Sequence, residues 1–374
     1  MITAVPAYNS KSVQLSKVIL QDVKRGEFKS IIDLPPQESL AKHYKTSRPT
    51  IRKAIQLIKQ REFELKSKDD RQSVVSNGLR GDLAKKVGIG VVLPGYPDAN
   101  FNEIQAGIRT YCEQSDVLFH VYLSRDGHEN AIKIIENIQS YPCDGILVFP
   151  YNTSEYVRAL SKLSREKIPV VCLDRGVDGL DMNLVGSDHA GGMYNAVEYI
   201  VSKYERPAYF LTTGAMSQPG FDRIQAYKSA MADAGYFDLI DQYLFIDEAK
   251  DEDVKIWPYE AKLKVGRKAA VALFDRIDLS VPISVVCHNT YIAKGVCDIT
   301  KEVGLEIGRD VFVVGFDDIP LAWIQKPSMT VVRQDFNMVG YYAAMMLHEI
   351  ISSEKELPCR SVHLPTELIV RESA

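Results

Sequence analysis

The chain has 374 residues, which is too long for a single hydrophobic core and predicts two or three domains. Hydrophobic residues make up 46% and charged residues 25%, as in an ordinary globular protein, and no apolar run approaches the ~20 residues of a membrane helix. The net charge of −4 hides an asymmetry, because residues 1–80 carry +8 and the remainder −12. A basic head on an acidic body is typical of a nucleic-acid-binding module joined to a domain that need not touch DNA.

The cysteines and the N-terminus bear on the compartment. Six cysteines are scattered without a CxxC pair and lie mostly in apolar segments, which favours reduced structural thiols over disulfides or a zinc site. The first residues, MITAVPAYNSKSVQLS, lack a charged region followed by an apolar one, so no secretory signal is expected. The sequence predicts a cytoplasmic protein without a membrane segment, metal or cofactor.

The head is predicted to be helical. Residues 1–11 read as a disordered end, 12–26 as an amphipathic helix, and 34–58 as two short helices with a tight turn between them. In the second of this pair, isoleucine and alanine recur at helical spacing from position 51 to position 58, so one face is buried. Ser47 is placed to cap this helix, and Pro49 falls in its first turn, where a missing N–H does no harm.

The opposite face of that helix is polar and cationic near its start. A short helix that presents guanidinium, hydroxyl and ammonium groups there has what a reader of the major groove needs. The alternative is the solvated basic face of an ordinary helical hairpin. The candidate DNA-binding residues are Arg48, Thr50, Arg52, Lys53 and Gln56.

Two linked motifs in the head resemble those of the GntR-type winged helix-turn-helix. LPPQESLA stands where that family opens a helix with Leu-Pro-Ser-Glu, and SRPTIRKAI stands where it has Ser-Arg-x-Thr-Val-Arg. The resemblance covers about residues 12–76 and implies a small α+β winged helix DNA-binding domain over 12–75. The expected wing, residues 64–75, has no glycine and carries Asp69 and Asp70, whose charge is repulsive towards phosphate. Residues 76–86 are polar, contain two glycines and are predicted to be a linker.

From Val87 onward, short apolar runs alternate with helical patterns. This βαβα repetition predicts parallel sheets covered by helices on both faces. The rhythm restarts midway and continues for roughly 290 residues, which exceeds one α/β core and indicates two α/β lobes with a cleft between them. In open sheets of this kind, ligands bind beyond the carboxyl ends of the strands.

Polar side chains cluster at those predicted strand ends. Carboxylates, amides and a guanidinium that converge on one cleft can hold several neighbouring hydroxyl groups. Taken singly, each has a structural alternative, such as capping a helix or forming an ion pair. The residues that follow predicted strands are Asp174, Asn289, Asp317, Asp318 and Gln334, and Arg223 precedes a predicted helix.

A second resemblance covers Lys85 to the C-terminus. Eight segments in order, among them DGILVFP, IPVVCLDRG, VFVVGFDDI and ELIVRES, resemble the effector domain of LacI/GalR repressors, which are relatives of periplasmic sugar-binding proteins (type I). One departure is Thr290, where the family usually has aspartate after the asparagine. The effector contacts that the resemblance implies are Asp174, Arg223, Asn289, Asp317 and Gln334, with Tyr96 or Phe101 as the aromatic contribution.

The same resemblance implies three crossings between the lobes, so that the first lobe holds about 87–186 and 336–353 and the second about 187–335 and 354–374. It also implies a homodimer formed through the first lobe, including helix 102–112 and the region 345–350. A Met-rich apolar stripe such as 345–350 is otherwise ordinary core.

The preferred interpretation is a transcriptional regulator, expected to be a repressor. Operator DNA binds the head, and a small-molecule effector, expected to be a sugar, binds the cleft; the combination resembles arabinose-responsive repressors. The alternative is a sugar-binding protein without DNA function, such as a transport receptor, which leaves the basic head unexplained. An enzyme is disfavoured because GxSxG, P-loop and HExxH motifs are absent, and Asp317 and Asp318, as neighbours at a strand end, are expected to point to opposite sides.

Overall fold

The computed structural model describes residues 37–55, 86–95, 98–124, 128–213, 217–247 and 259–374, and single positions 15, 18, 19, 22 and 35. Contacts divide the chain into two compact units, 1–84 and 85–374. The predicted disordered end, the wing and nearly all of the linker lie outside the described residues. Within the described part of the chain, no helix is long and apolar enough to span a membrane.

The first unit contains the predicted pair of short helices. Helix α1 spans Gln37–His43, and α2 is described over 48–55. The turn between them includes Lys45, whose φ of 49° is left-handed, and it is closed by the Thr46 amide donating to Ala41 O at 3.0 Å. Ser47 begins α2, since its carbonyl accepts from the Ile51 amide at 3.1 Å. The described positions 15, 18, 19 and 22 of the predicted helix 12–26 are helical.

The second unit consists of two α/β lobes. In the first, a six-stranded sheet has the strand order β11-β5-β4-β3-β1-β2. All its pairings are parallel. Its elements are β1 Gly88–Pro94, α3 Ala99–Ser115, β2 Leu118–Ser124, α4 His128–Glu136, β3 Gly145–Val148, α5 Ser154–Arg165, β4 Val170–Leu173, β5 Asn183–Ser187, and later in the chain α12 Phe336–Ser352 and β11 Ser361–Leu364.

The second lobe repeats this plan with the order β12-β10-β9-β8-β6-β7, in which only β10 and β12 pair antiparallel. Its elements are α6 His189–Tyr204, β6 Ala208–Thr213, α7 Gln218–Asp233, α8 Ile240–Tyr243, β7 Leu244–Asp247, α9 Tyr259–Phe274, β8 Ile283–Cys287, α10 Thr290–Glu302, β9 Val311–Phe316, α11 Pro320–Ile324, β10 Thr330–Arg333 and β12 Glu367–Ile369. Position by position, β4 therefore corresponds to β9 and β5 to β10.

The predicted third crossing is wrong by about ten residues. It was expected near Ser353, but β11 pairs in parallel with β5, so the chain stays with the first lobe through Leu364. It reaches the second lobe only at Glu367, where β12 begins. Strand β11 forms hydrogen bonds with backbone groups at the edge of β5 that would otherwise be exposed. The helical periodicity of α12, on which the predicted boundary depended, does not indicate that such a strand follows.

Helices α3 and α12 pack closely in the first lobe. A Cβ on Gly107 would lie 1.8 Å from Asn337 O, and one on Gly340 would lie 2.0 Å from Ile104 O. The two glycines thus allow backbone to meet backbone. In α12, Met346 and Leu347 are buried, so they belong to the core of the lobe.

All six cysteines are free thiols, as expected. Burial raises the pKa of Cys112 and of Cys172 to about 12, which keeps these thiols protonated and unreactive.

Candidate functional site

Two aspartates occupy corresponding positions at the carboxyl ends of the two sheets. Asp174 follows β4 with φ 68°, and Asp317 follows β9 with φ 81°. Each donates its amide to the neighbouring strand at 2.8 Å, to Val185 O and to Val332 O respectively. Aspartate is one of the few residues that adopt the left-handed conformation readily. In both lobes, the residue after the strand is therefore an aspartate with a left-handed backbone whose amide donates to the neighbouring strand.

Asp174 is held by two cationic or polar neighbours. Arg175 donates through Nε at 2.9 Å and Nη2 at 2.7 Å to Asp174 Oδ2, and His189 Nε2 lies 3.4 Å from Oδ1. Burial by itself would raise the pKa of this carboxyl, but the Arg175 guanidinium and the His189 ring outweigh it and hold the pKa well below its usual range. Asp174 is therefore an ionised acceptor.

Arg223 is buried and fixed on three sides. Its Nη1 donates to His288 O at 2.6 Å, its Nη2 lies 3.2 Å from His189 Nδ1, and its guanidinium stacks 3.7 Å from the centroid of the Phe316 ring. Burial lowers its pKa, opposed by Asp317 and Asp174, although a guanidinium remains charged. Because the Arg223 guanidinium can only donate hydrogen bonds, His189 Nδ1 must be the acceptor of this contact. The proton of a neutral His189 ring then lies on Nε2, which faces Asp174.

Asp317 and Asp318 point to different partners, as predicted for neighbours at a strand end. Asp317 Oδ1 accepts from Gln334 Nε2 at 2.5 Å. Burial raises the pKa of Asp317, while Arg223 and Gln334 oppose the rise. Asp318 instead accepts from Arg333 at 2.7 Å and from Arg371 at 2.8 Å, which joins β9 to β10 and to the C-terminal segment. Asp317 belongs to the site, and Asp318 has a structural role.

Asn289 is engaged in capping. Its Oδ1 accepts from the Ile292 amide at 2.9 Å and begins α10, which is the structural alternative foreseen for such residues. The next residue, Thr290, is completely buried and donates its hydroxyl to Phe316 O at 2.9 Å and Asp317 O at 2.5 Å. A carboxylate could not donate these bonds. The departure at Thr290 therefore fixes the turn that carries Asp317.

Phe101 is connected to this network through another ring. It packs edge-on against Phe149 with centroids 4.9 Å apart, and the Arg175 guanidinium lies 4.5 Å from the Phe149 centroid. The contacts run from Phe101 through Arg175 and Asp174 to His189 and Arg223. They join the two lobes at the carboxyl ends of the strands.

Among the described residues, four buried polar atoms in this network lack a well-formed hydrogen bond, because two have no partner and the other two face each other at 3.4 Å. A buried polar group without a partner costs free energy, so such a concentration calls for an explanation. Alternating acceptors and donors suit a molecule that bears several hydroxyl groups. The atoms without a partner are Arg223 Nε and Gln334 Oε1, and the two that face each other are Asp174 Oδ1 and His189 Nε2.

A cavity of about 360 Å³ lies beside the network and shares Gln334 with it. Its other lining residues come from the start of α3, from Asp318 and Arg333, and from the start of α12. Burial raises the pKa of Glu103 in this cavity, and nearby aspartates add to the rise. Asp318, one of the carboxylates that line this cavity, already accepts hydrogen bonds from two arginines and is therefore engaged within the protein. We therefore take the buried network, and not this cavity, as the candidate site.

Two predicted contacts, Tyr96 and Gln56, lie outside the described residues. The remaining head candidates lie on α2, where Arg48, Arg52 and Lys53 are exposed. Thr50 is half-buried and its hydroxyl lies 2.8 Å from Ser47 Oγ, so it helps to form the cap.

Sequence reasoning did not single out Arg175 and His189. Arg175 adjoins the strand-end aspartate, and His189 opens the helix after β5, so the rule that directs attention to strand ends applies to both. His189 was missed because histidines were considered only as metal ligands, whereas this one lies between the carboxylate of Asp174 and the guanidinium of Arg223.

The comparisons with known proteins agree with this architecture. The model of the "periplasmic binding protein-like domain" family matches residues 198–374. The HTH-type transcriptional repressor PurR of Vibrio campbellii is 25% identical over 304 residues, covering 80% of this chain and 84% of that protein.

Solved structures share the fold. A LacI family transcriptional regulator from Enterococcus faecium with bound ribose is 20% identical, with a TM-score of 0.61 over 76% of this chain and 98% of that one. The transcriptional regulator CelR in complex with cellobiose is 19% identical, with a TM-score of 0.62 over 91% and 100%. The relatives are transcriptional regulators, not enzymes. Residues 85–374 therefore have the two-lobed, periplasmic-binding-protein-like fold that these regulators share.

Proposed function

We propose that this protein is a DNA-binding transcriptional repressor whose operator affinity is controlled by a sugar bound between the two lobes of residues 85–374. The observation that carries the effector assignment is a set of four buried donors and acceptors on Asp174, His189, Arg223 and Gln334. Among the described residues, Arg223 Nε and Gln334 Oε1 have no hydrogen-bond partner, and Asp174 Oδ1 and His189 Nε2 have only a 3.4 Å contact with each other. Ribose and cellobiose in the two solved regulators are sugars, which supports the same ligand class here.

The head is proposed to be of the GntR winged type, with α2 as the recognition helix. The motifs LPPQESLA and SRPTIRKAI support this type, and the described helix pair agrees with a helix-turn-helix. Arg52 and Lys53 are exposed on α2, where base edges or phosphates are within reach of a bound head. A twofold dimer on a pseudo-palindromic operator, in the cytoplasm, follows from this assignment.

The mechanism follows from two states of different sugar affinity. A sugar that contacts Asp174 in one lobe and Arg223 in the other binds the closed form better than the open form. It shifts the equilibrium by that difference and by no more. Closure of the dimer's lobes then changes the affinity of the two heads for DNA.

The test is a thermal-shift panel of pentoses, hexoses, disaccharides, sugar acids and sugar phosphates on the full chain. A sugar at ~100 times its dissociation constant stabilises the folded form by about 2.7 kcal/mol, enough to raise the melting temperature by a few degrees. Arg223→Lys, which keeps a cation but loses the planar fork, is expected to abolish the shift. Lys294→Met, a change on the surface of α10, is the control. A flat panel, or a shift that survives in Arg223→Lys, contradicts the assignment.

A further inference from the structure

An ion pair joins the two lobes beside the candidate effector site. Lys262 Nζ, on α9 of the second lobe, lies 2.7 Å from Asp98 Oδ2, at the start of α3 in the first lobe. The side chains are only 16% and 7% exposed. By contrast, the pair Lys294–Asp298 lies within α10 of one lobe. Contacts between lobes exist only when the lobes approach one another, so this pair differs from an ordinary surface salt bridge.

Both members of the pair are held in place by their own lobe. Asp98 caps α3, because its Oδ1 accepts from the Asn100 amide at 2.9 Å, which leaves Oδ2 for the lysine. Lys262 Nζ also lies 4.8 Å from the centroid of the ring of Tyr291, which is the second residue of α10. A cation over an aromatic face gains further stabilisation when it is removed from water. Little side-chain entropy is therefore lost when the pair forms.

The pair is close enough to the candidate site to influence it. Asp98 contributes to the raised pKa of Asp317, after burial and after the charge of Asp174. Closing the cleft brings Asp98 of the first lobe towards Asp317 of the second, and the charge of Lys262, paired with Asp98, offsets the repulsion that this approach creates. Forming the pair and filling the site are thus expected to favour each other.

We propose that Asp98 and Lys262 form a latch that closes the cleft and sets how readily the effector shifts the lobes to the closed form. The proposal rests on the proposed function of the cleft as an effector site, and the two residues are positioning residues rather than sugar contacts. In the open form, both charges are solvated and the latch contributes nothing. The interaction between Asp98 and Lys262 therefore stabilises only the closed form and shifts the equilibrium between the open and closed forms towards it.

The first experiment reads the latch directly in the full-length protein without any ligand. Lysines are acetylated for short times with an N-hydroxysuccinimide ester, and the rate at each site is measured by mass spectrometry. Lys264 and Lys268 are exposed on the same helix and serve as internal references. We expect Lys262 to react about fivefold or more slowly than Lys264, as a contact worth about 1 kcal/mol implies. In Asp98→Asn, which keeps a side-chain acceptor for the cap, its rate should approach that of Lys264.

Equal rates at Lys262 and Lys264 in the wild type, or no acceleration in Asp98→Asn, would overturn the latch. This measurement requires neither DNA nor sugar, so its outcome does not depend on whether the sugar proposal holds. Lys294 in the same samples should react at the same rate with and without the substitution.

The second experiment measures coupling to the effector site with the neutral pentoses and hexoses of the thermal-shift panel. For the sugar that stabilises the wild type, Asp98→Asn and Lys262→Met should each weaken binding by about five- to tenfold. The double variant should be no weaker than either single variant, because the two changes remove one interaction. Lys294→Met and Asp298→Asn serve as matched controls within one lobe. Additive losses, or unchanged affinity, would refute the coupling, whereas a flat panel on the wild type would refute the sugar assignment and leave the acetylation result to judge the latch.

Discussion

At the scale of single residues, the two strand-end carboxylates have the same backbone conformation but different electrostatic surroundings. Asp174 is stabilised in its ionised form by Arg175 and His189, which lower its pKa. Asp317 has a raised pKa, chiefly because of burial. Environments that push the two pKa values apart give the carboxylates different tasks, so Asp174 is the permanent acceptor. The site is therefore asymmetric despite the repeated fold.

This difference predicts opposite effects of the same substitution. At pH 7, Asp174→Asn should lower the melting temperature, because the depressed pKa makes ionised Asp174 a source of stability above the unfolded value of about 3.9. Asp317→Asn should raise the melting temperature, because it removes a carboxylate whose ionised form is disfavoured in the folded state. Shifts of about 2–4 °C in either direction are expected in scanning fluorimetry.

Lowering the pH supplies the check. The stability from Asp174 is lost as the pH falls through its depressed folded pKa. The cost at Asp317 disappears as the pH falls below its raised folded pKa towards the unfolded one. The difference at Asp317 should shrink between about pH 5 and pH 3, and the difference at Asp174 should shrink only below about pH 4. Shifts of the same sign at pH 7, or differences that grow in acid, would contradict the assigned electrostatics.

The residue types at the site were predictable in part. Asp174, Asp317 and Gln334 were predicted because strand ends converge, and Arg223 was predicted from its place before a helical segment and from the family resemblance. The structure places all four in or beside one network, with Arg223 inside α7. The capping role of Asn289 and the hydroxyl bonds of Thr290 depend on the exact path of the chain after β8. Such distances are set by tertiary packing and cannot be read from periodicity.

At the scale of elements, the packing of α3 against α12 connects the site to the lobe behind it. Helix α3 begins beside Asp98 and carries Phe101, and α12 begins two residues after Gln334. The close approach at Gly107 and Gly340 fixes these two helix starts relative to each other. A change in this packing therefore displaces side chains from both ends of the site.

Gly107→Ala is expected to destabilise the protein by about 3 kcal/mol or to prevent folding, because the new methyl group would lie against the backbone at Asn337, which cannot rotate away. Gly176→Ala is the matched control, since no atom lies within 4 Å of its added Cβ. Chemical denaturation of both variants measures the difference. Equal stability of the two variants would show that the helices separate more easily than their spacing indicates.

At the scale of the whole molecule, the two-lobe architecture was predictable because alternating βαβα patterns extend over too many residues for one sheet. The place of β11 was not. Its four residues, SVHL, alternate only weakly, and a parallel edge strand is specified by its partner β5 rather than by its own sequence. The count of crossings came from the family resemblance, while the position of the last one required the sheet itself.

The charge distribution leads to a prediction for DNA binding by the full chain. The affinity for duplex DNA should fall steeply with salt, because cations of the basic head displace counterions from phosphates. Arg52→Ala should weaken binding at every salt concentration and reduce the slope of log K against log salt by about one for each phosphate that Arg52 neutralises. Fluorescence anisotropy with a random-sequence duplex measures the slope.

Arg309→Ala removes an exposed arginine of the second lobe and is the control, with unchanged binding expected. An unchanged slope in Arg52→Ala would exclude that side chain from contact with phosphate. A salt-independent affinity in the wild type would count against DNA binding by the head altogether.

The left-handed backbone at Asp174 and Asp317 restricts how the candidate site can diverge. With φ at 68° and 81°, these positions accept asparagine or glycine with little strain but disfavour glutamate and β-branched residues. Both tolerated replacements are one nucleotide away from an aspartate codon, and both are uncharged. The readiest mutational route to a new ligand specificity at this candidate site is therefore the loss of one negative charge, in one lobe at a time, while the main chain keeps its conformation.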